Sequence, residues 1–163
     1  MFPFHKYTAL GNDMIVIDPA QWPPGFTPDM ARRLCDRHFG VGADGICYGP
    51  LPDERGLAMR FFNPDGTEAE KSGNGLRIMA RYLWDHDYTP DNPFALVISG
   101  EVVQAEVLDA TAVTIALSMG RATVSPTLPL AISSETRTLI PASIGNPHAI
   151  HFTPNLDDLQ RLG

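Results

Sequence analysis

Cysteine is scarce in this chain: Cys35 and Cys47 are the only two in 163 residues. They make neither a disulfide framework nor a zinc spacing, so a reduced cytoplasm is the expected home. Basic residues are also few. Twelve Lys and Arg stand against nineteen Asp and Glu, a net charge of −7, with no basic cluster. That argues against nucleic acid and against an anionic membrane as partner. No apolar run is long enough to span a bilayer. Met1-Phe2-Pro3-Phe4-His5-Lys6 lacks an apolar signal core, so export is not expected. Charged residues make up 19% and hydrophobic residues 44%. This is a globular balance, with length for one domain or one domain and part of another.

The most informative stretch runs from Arg60 to Gly75 and into the residues beyond. Leu57–Phe62 reads as a strand, and Asn63-Pro64-Asp65-Gly66 is a strong turn signal. Leu76, Met79, Ala80 and Leu83 then recur at helical spacing, which predicts a helix docked on a core. Arg77, Arg81 and Asp85 fall on its other faces. Ser72 stands at the N-cap position, and Gly73 and Gly75 bare the backbone just after it. Such a start presents unpaired N–H groups and the positive end of the helix dipole. A carboxylate or phosphate fits there.

Around this stretch the chain alternates strands and turns. A strand begins near Phe4 and Tyr7, Thr8–Asp13 forms a loop, and Met14–Asp18 is a β-branched strand. Pro23-Pro24-Gly25 is a linker turn. Thr27 caps a helix with Pro28 at its first position, striped by Met30, Ala31, Leu34, Cys35 and His38. Cys35 is read as a core thiol and His38 as a helix-end residue. The glycines of Asp36-Arg37-His38-Phe39-Gly40-Val41-Gly42-Ala43-Asp44-Gly45 suggest a close backbone approach, without the frame of a dinucleotide fingerprint. Ile46–Tyr48 is a short strand and Leu51–Gly56 a polar loop. Phe94–Ser99, Val102–Leu108 and Ala112–Met119 form an antiparallel meander. A domain boundary is placed near Gly120, giving 1–119 as one lobe and 120–163 as the beginning of a second. Residues 120–130 look loosely ordered, a strand covers Thr138–Ile140, and Asn155 caps a further helix.

The last strand unit echoes the first. Ala9-Leu10-Gly11-Asn12-Asp13 and Ser143-Ile144-Gly145-Asn146-Pro147 both run small residue, aliphatic, Gly-Asn, then strand. This hints at a duplicated unit whose second helix start falls beyond Gly163. On that reading Thr138–Ile140 and Ala149–Phe152 lack partners, and the exposed apolar surface favours association, a homodimer being one form.

Five motifs in order carry a resemblance: Leu10-Gly11-Asn12-Asp13, Asp36 through Gly45, Phe62 through Glu70, Ser72-Gly73-Asn74-Gly75, and Gly145-Asn146-Pro147-His148. Together they resemble the diaminopimelate epimerase family. The resemblance implies an α/β (α+β) fold of two pseudo-symmetric lobes, each a curved, mostly antiparallel sheet wrapped round a central helix. This chain covers the first lobe and the opening of the second. It implies a cofactor-independent isomerase that converts LL- to meso-diaminopimelate for lysine and peptidoglycan precursors, with no metal and a small amino acid as substrate. The family moves the α-proton with two cysteines, one per lobe. Ser72 stands at the first cysteine position. Gly73 and Asn74 match substrate-holding donors, Asn12, Asn63 and Asn146 match amide ligands, and His148 matches a residue that tunes the thiol pair. The four asparagines are expected to converge on one cleft. Gly45 stands where some members carry glutamine.

Two alternatives to such an epimerase stay open. One is a non-catalytic relative that binds an amino acid. The other is an isomerase of the same fold using a carboxylate base, with Glu68 or Glu70 as candidate.

Overall fold

A computed structural model describes residues 3–22, 25–109, 111–132 and 135–154. The chain divides into two compact units, Met1–Met119 and Gly120–Gly163.

The first unit is one curled sheet around one helix. Its strands are β1 His5–Ala9, β2 Asn12–Ile17, β3 Gly45–Asp53, β4 Gly56–Phe62, β5 Glu68–Ala69, β6 Phe94–Ile98, β7 Glu101–Val107 and β8 Ile115–Leu117, with helices α1 Pro28–Cys35 and α2 Gly73–Asp85. The order across the sheet is β1-β2-β3-β4-β6-β7-β8, with β5 beside β4. Only the β2–β3 and β4–β6 pairings are parallel; the others are antiparallel. The expected α+β fold with a central helix is therefore the fold observed.

The helical periodicity marks the right face of α2 but understates its burial. Leu76, Met79, Ala80 and Leu83 are fully buried, and so are Ile78 and Tyr82. The curl of the sheet encloses the helix on more than one side. Each buried Leu or Met side chain contributes roughly 1.5–3 kcal/mol through removal from water. Tyr82 reaches Asp18, its hydroxyl donating to the carboxylate at 3.1 Å, where Tyr88 also donates at 2.5 Å.

Local signals predict the helix caps well. Thr27 accepts from Met30 N, and Pro28 opens α1. That helix ends at Cys35, so His38 is an exposed loop residue rather than a helix-end one. Asp36 stops it by accepting the amides of His38 and Phe39. The expected loop at Thr8–Asp13 is a two-residue turn. Leu10 and Gly11 have φ of 53° and 83°, and Ala9 pairs with Asn12 across the hairpin. The expected polar loop at Leu51–Gly56 is mostly strand: β3 runs to Asp53 with a register shift between Tyr48 and Leu51. Conversely, the strand expected from Ala112 starts only at Ile115, because the Asp109 carboxylate gathers the amides of Thr111, Val113 and Thr114 into a turn.

The second unit is a small antiparallel sheet of β9 Thr123–Val124, β10 Leu128–Ile132, β11 Glu135–Ser143 and β12 Pro147–Ile150. Residues 120–130 are therefore more regular than expected. Thr138–Ile140 does not lack partners: Leu139 pairs with Leu128, and Ile140 with Ile150. The apolar side chains at Leu128, Leu130, Ile150 and Phe152 are nonetheless exposed. The helix expected after Asn155 and the turn at Pro23-Pro24 lie outside the described residues.

Candidate active site

The start of α2 is built as its sequence requires. Ser72 is extended, with φ −134° and ψ 117°, and its Oγ accepts the Gly75 amide at 3.1 Å. The Ser72 carbonyl accepts from Leu76 N at 2.8 Å, which closes the first helical turn. No acidic residue occupies that turn. Two cations stand beside it. Arg77 donates to the Gly73 carbonyl at 3.3 Å. Lys71 is buried and donates to Glu101 at 2.9 Å and to the Met119 carbonyl at 3.0 Å. The helix dipole and the Arg77 guanidinium therefore favour an anion at Gly73 and Asn74, while the Lys71 charge is met by Glu101.

Gly75 lets this turn approach the sheet. A Cβ there would meet three carbons of the Phe61 ring at 3.0–3.2 Å. On the sheet below, Cys47 Sγ lies 3.9 Å from the Gly75 carbonyl and 3.3 Å from Met14 Sδ. Burial pushes the Cys47 thiol well up and the Cys35 thiol up to about 11. Neither is a thiolate at neutral pH.

Sheet register brings Asn12 and Asn63 to the same end of the sheet as this helix start. Met14 pairs with Gly45, and Ile46 with Phe62. The start of β2, the start of β3 and the end of β4 are thus neighbours. Asn63 follows β4 and donates through Nδ2 to Thr67 Oγ1 at 3.0 Å. Asn12 opens β2 and donates through Nδ2 to Asp44 Oδ2 at 3.1 Å. Asn74 is half-buried in the first turn of α2.

Asp44, to which sequence reasoning assigned no role, holds Asn12, the Asp13 amide and Arg37 together. Its motif was visible, yet its partners lie far off in the chain. Arg37 Nη2 donates to Asp44 Oδ1 at 2.6 Å and to Asp13 Oδ1 at 2.7 Å. Lys6 donates to the Gly42 carbonyl at 2.6 Å and pairs with Asp13 at 2.9 Å. Arg37, then Lys6, hold the Asp13 carboxyl well below the usual carboxylate range. This lattice fastens the glycine-rich loop to the first hairpin. Gly45 is tight for its own reason: a Cβ would lie 2.8 Å from the Phe62 carbonyl. No larger side chain fits there without a shift of backbone.

The carboxylate candidates fare differently. Glu68 is held by Arg60 in a two-pronged pair at 2.9 and 2.7 Å, and Arg60 lowers its pKa. A lowered pKa is the wrong direction for a base that must hold a proton near neutrality. Glu70 is exposed. Asn146 lies in the β11–β12 turn beside Gly145, whose φ is 100°. His148 is exposed on β12. Both belong to the second unit. The two Gly-Asn hairpins differ by one residue: Asn12 pairs with Ala9, whereas Pro147, not Asn146, pairs with Ser143. Among the described residues, no three His, Cys, Asp or Glu side chains cluster as metal ligands.

Comparison with known proteins bears on the family and the fold. The sequence model of the family described as diaminopimelate epimerase matches residues 4–125. A protein of Nostoc sp. named diaminopimelate epimerase 2 is 40% identical over 170 residues, covering 96% of this chain and 58% of the relative. A diaminopimelate epimerase of Synechocystis sp. is 36% identical over 172 residues, covering 96% and 61%. The chain thus spans less than two-thirds of the length of these relatives. Among solved structures, a hydroxyproline epimerase from Agrobacterium vitis superposes with a TM-score of 0.71 at 18% identity, over 98% of this chain and 55% of that one. A Bacillus anthracis protein of the PhzF family superposes at 0.67 with 17% identity, over 98% and 57%. At such identities the likeness is one of fold. The sequence match, which runs through the first hairpin, the glycine-rich loop and the capped start of α2, shows that the chain belongs to the diaminopimelate epimerase family.

Proposed function

We propose that this chain carries the first half of a cofactor-independent epimerase of diaminopimelate type, acting in the cytoplasm on LL-diaminopimelate. The observation that carries the reading is the glycine-opened, acid-free start of α2, at the sheet end that also bears Asn12 and Asn63. The α-proton of an amino acid is very weakly acidic. Without an electron sink, the developing negative charge must be met by fixed dipoles. The amides of Gly73 and Asn74, with Arg77 behind them, supply such a field at the α-carboxylate. Inversion then needs a base on each face of the α-carbon. Ser72 stands at the position of one base, and the second belongs to the remaining length of the family. Within the second unit, Asn146 is proposed as an amide ligand of the substrate and His148 as a residue that tunes the acid–base groups.

Ser72 is proposed to cap and bind rather than to take the proton. A hydroxyl is far less acidic than a thiol at ~8.5, and its oxygen is already engaged by the Gly75 amide. A binding relative without turnover is the second reading, and Ser72 is the observation that favours it. A base at Glu68 is disfavoured by its pairing with Arg60.

The test is deuterium incorporation at the α-carbon of each diaminopimelate stereoisomer. The 163-residue chain alone is expected to show none. Fused to the remaining length of a relative, Ser72→Cys should exceed the parent fusion by at least about two orders of magnitude, the scale of a positioned acid–base group. Equal rates in the two fusions would refute the thiol-position reading.

A further inference from the structure

We infer that Lys71 and Glu101 form a charge-balancing pair behind the start of α2, in which Lys71 positions Ser72 and Glu101 sets how much of the lysine charge an anion at Gly73 and Asn74 feels. The inference rests on the reading of that helix start as a carboxylate site and adds what tunes it. Lys71 directly precedes the N-cap. Among the described residues it is the only buried cation. An ammonium taken out of water is costly unless it is paired and hydrogen-bonded. This one donates to Glu101 Oε2 at 2.9 Å and to the Met119 carbonyl at 3.0 Å. The residue before it is held as well, since Ser99 Oγ donates to the Glu70 carbonyl at 2.7 Å. The approach to Ser72 is thus fastened to the β6–β7 turn and to the last residue of the first unit.

The same contacts place the charge. A Cβ on Gly73 would lie 3.4 Å from Arg77 Nη1 and 3.9 Å from Met119 Cε. Arg77 and Met119 therefore flank the first residue of the helix, and Lys71 grips the carbonyl of that same Met119. The pair is lopsided. The Lys71 side chain is 6% exposed and the Glu101 side chain 63%. Packing fixes the lysine, while the glutamate reaches in from solvent and can be drawn back to it. The other cation at this turn is already spent: Arg55 donates to the Gly100 carbonyl at 2.8 Å and is held by Asp53. Glu70 is exposed. Glu101 is thus the group that withholds the Lys71 charge from the helix start. A weaker field suits a site that must release its carboxylate as well as bind it.

The thiol introduced by Ser72→Cys reports charge at this helix start, read in the 163-residue chain as the pH midpoint of its alkylation by iodoacetamide. In that background Glu101→Gln keeps the side-chain shape and removes the counter-charge. It should lower the midpoint by about half a unit, the scale of one partly screened unit charge. Lys71→Met removes the ammonium while filling most of its space, and should raise the midpoint by a similar amount. The two changes together should return it to the value of Ser72→Cys alone. A pair that only holds structure would not give this pattern, since a loosened helix start raises the midpoint in every variant. Should Lys71→Met not fold, Glu101→Gln, at an exposed side chain, carries the test. A midpoint unmoved or raised by Glu101→Gln, or not raised by a folded Lys71→Met, would overturn the inference alone, provided that Ser72→Cys itself titrates below the ordinary thiol value. A Ser72→Cys midpoint at or above that value would overturn the carboxylate-site reading and this inference with it.

Discussion

Replacing Ser72 by cysteine asks how strongly the start of α2 stabilises negative charge. The hydroxyl oxygen sits at the N-cap, 3.1 Å from the Gly75 amide. Sulfur in that place caps less well, so stability should fall by roughly 0.5–2 kcal/mol, the range for losing a cap. The same position stabilises a thiolate. Interaction of an anion with a helix N-terminus contributes about 0.3–2 kcal/mol. A central value near 1.4 kcal/mol lowers a thiol by about one pKa unit. Arg77 and Lys71 act in the same direction, though Lys71 is already paired with Glu101. The introduced thiol should therefore titrate about one unit below the ordinary value of ~8.5. The assay is the pH dependence of alkylation by iodoacetamide in the 163-residue chain. The two native thiols supply an internal silence, since Cys35 and Cys47 are 3% and 0% exposed. A midpoint at or above the ordinary thiol value would refute the claim that this helix start favours anions.

Gly75→Ala places a methyl group 3.0 Å from the Phe61 ring, which is only 1% exposed and cannot step aside. Alanine should gain about 1 kcal/mol in helix propensity but lose about 1–3 kcal/mol to overpacking; urea unfolding should show no net stabilisation, and a clear rise in midpoint would contradict the close packing. His5 packs on Tyr82 and His86, and burial, then the charge of His86, lowers its pKa from 6.5, while Asp18 opposes the shift. The folded state then prefers neutral His5, so its contribution is whole above pH 6.5 and is lost as pH falls through that value toward the folded pKa. Urea midpoints at pH 7.5 and 5.5 should differ more in the parent than in His5→Gln, and equal differences would refute the assignment.

Sequence alone determined the parts of this protein whose causes are local. Ser72 and Thr27 cap their helices because a side-chain oxygen needs only an amide three residues on. The buried face of α2 follows from a spacing of three and four, and the β6–β7–β8 meander from short alternating runs between turns. Membership of the family was equally legible, because five short motifs in order need no geometry to be recognised. Tertiary structure alone decided the rest. Burial of Ile78 and Tyr82 depends on a sheet that curls round the helix, and no period in α2 announces it. The extension of β3 through Pro50 and Pro52 depends on β4 as partner. Strands β9 and β10 form in and beyond residues 120–130, which looked loosely ordered, because β11 offers each a partner. At the site, Asn12 meets Asp44 and Asp13 meets Arg37 across 32 and 24 residues of chain. Such pairings have no signature in local sequence, since each residue taken alone reads as a turn or a solvated charge. The parallel neighbourhood of β2 and β3 is what brings an amide, two carboxylates and two cations into one lattice.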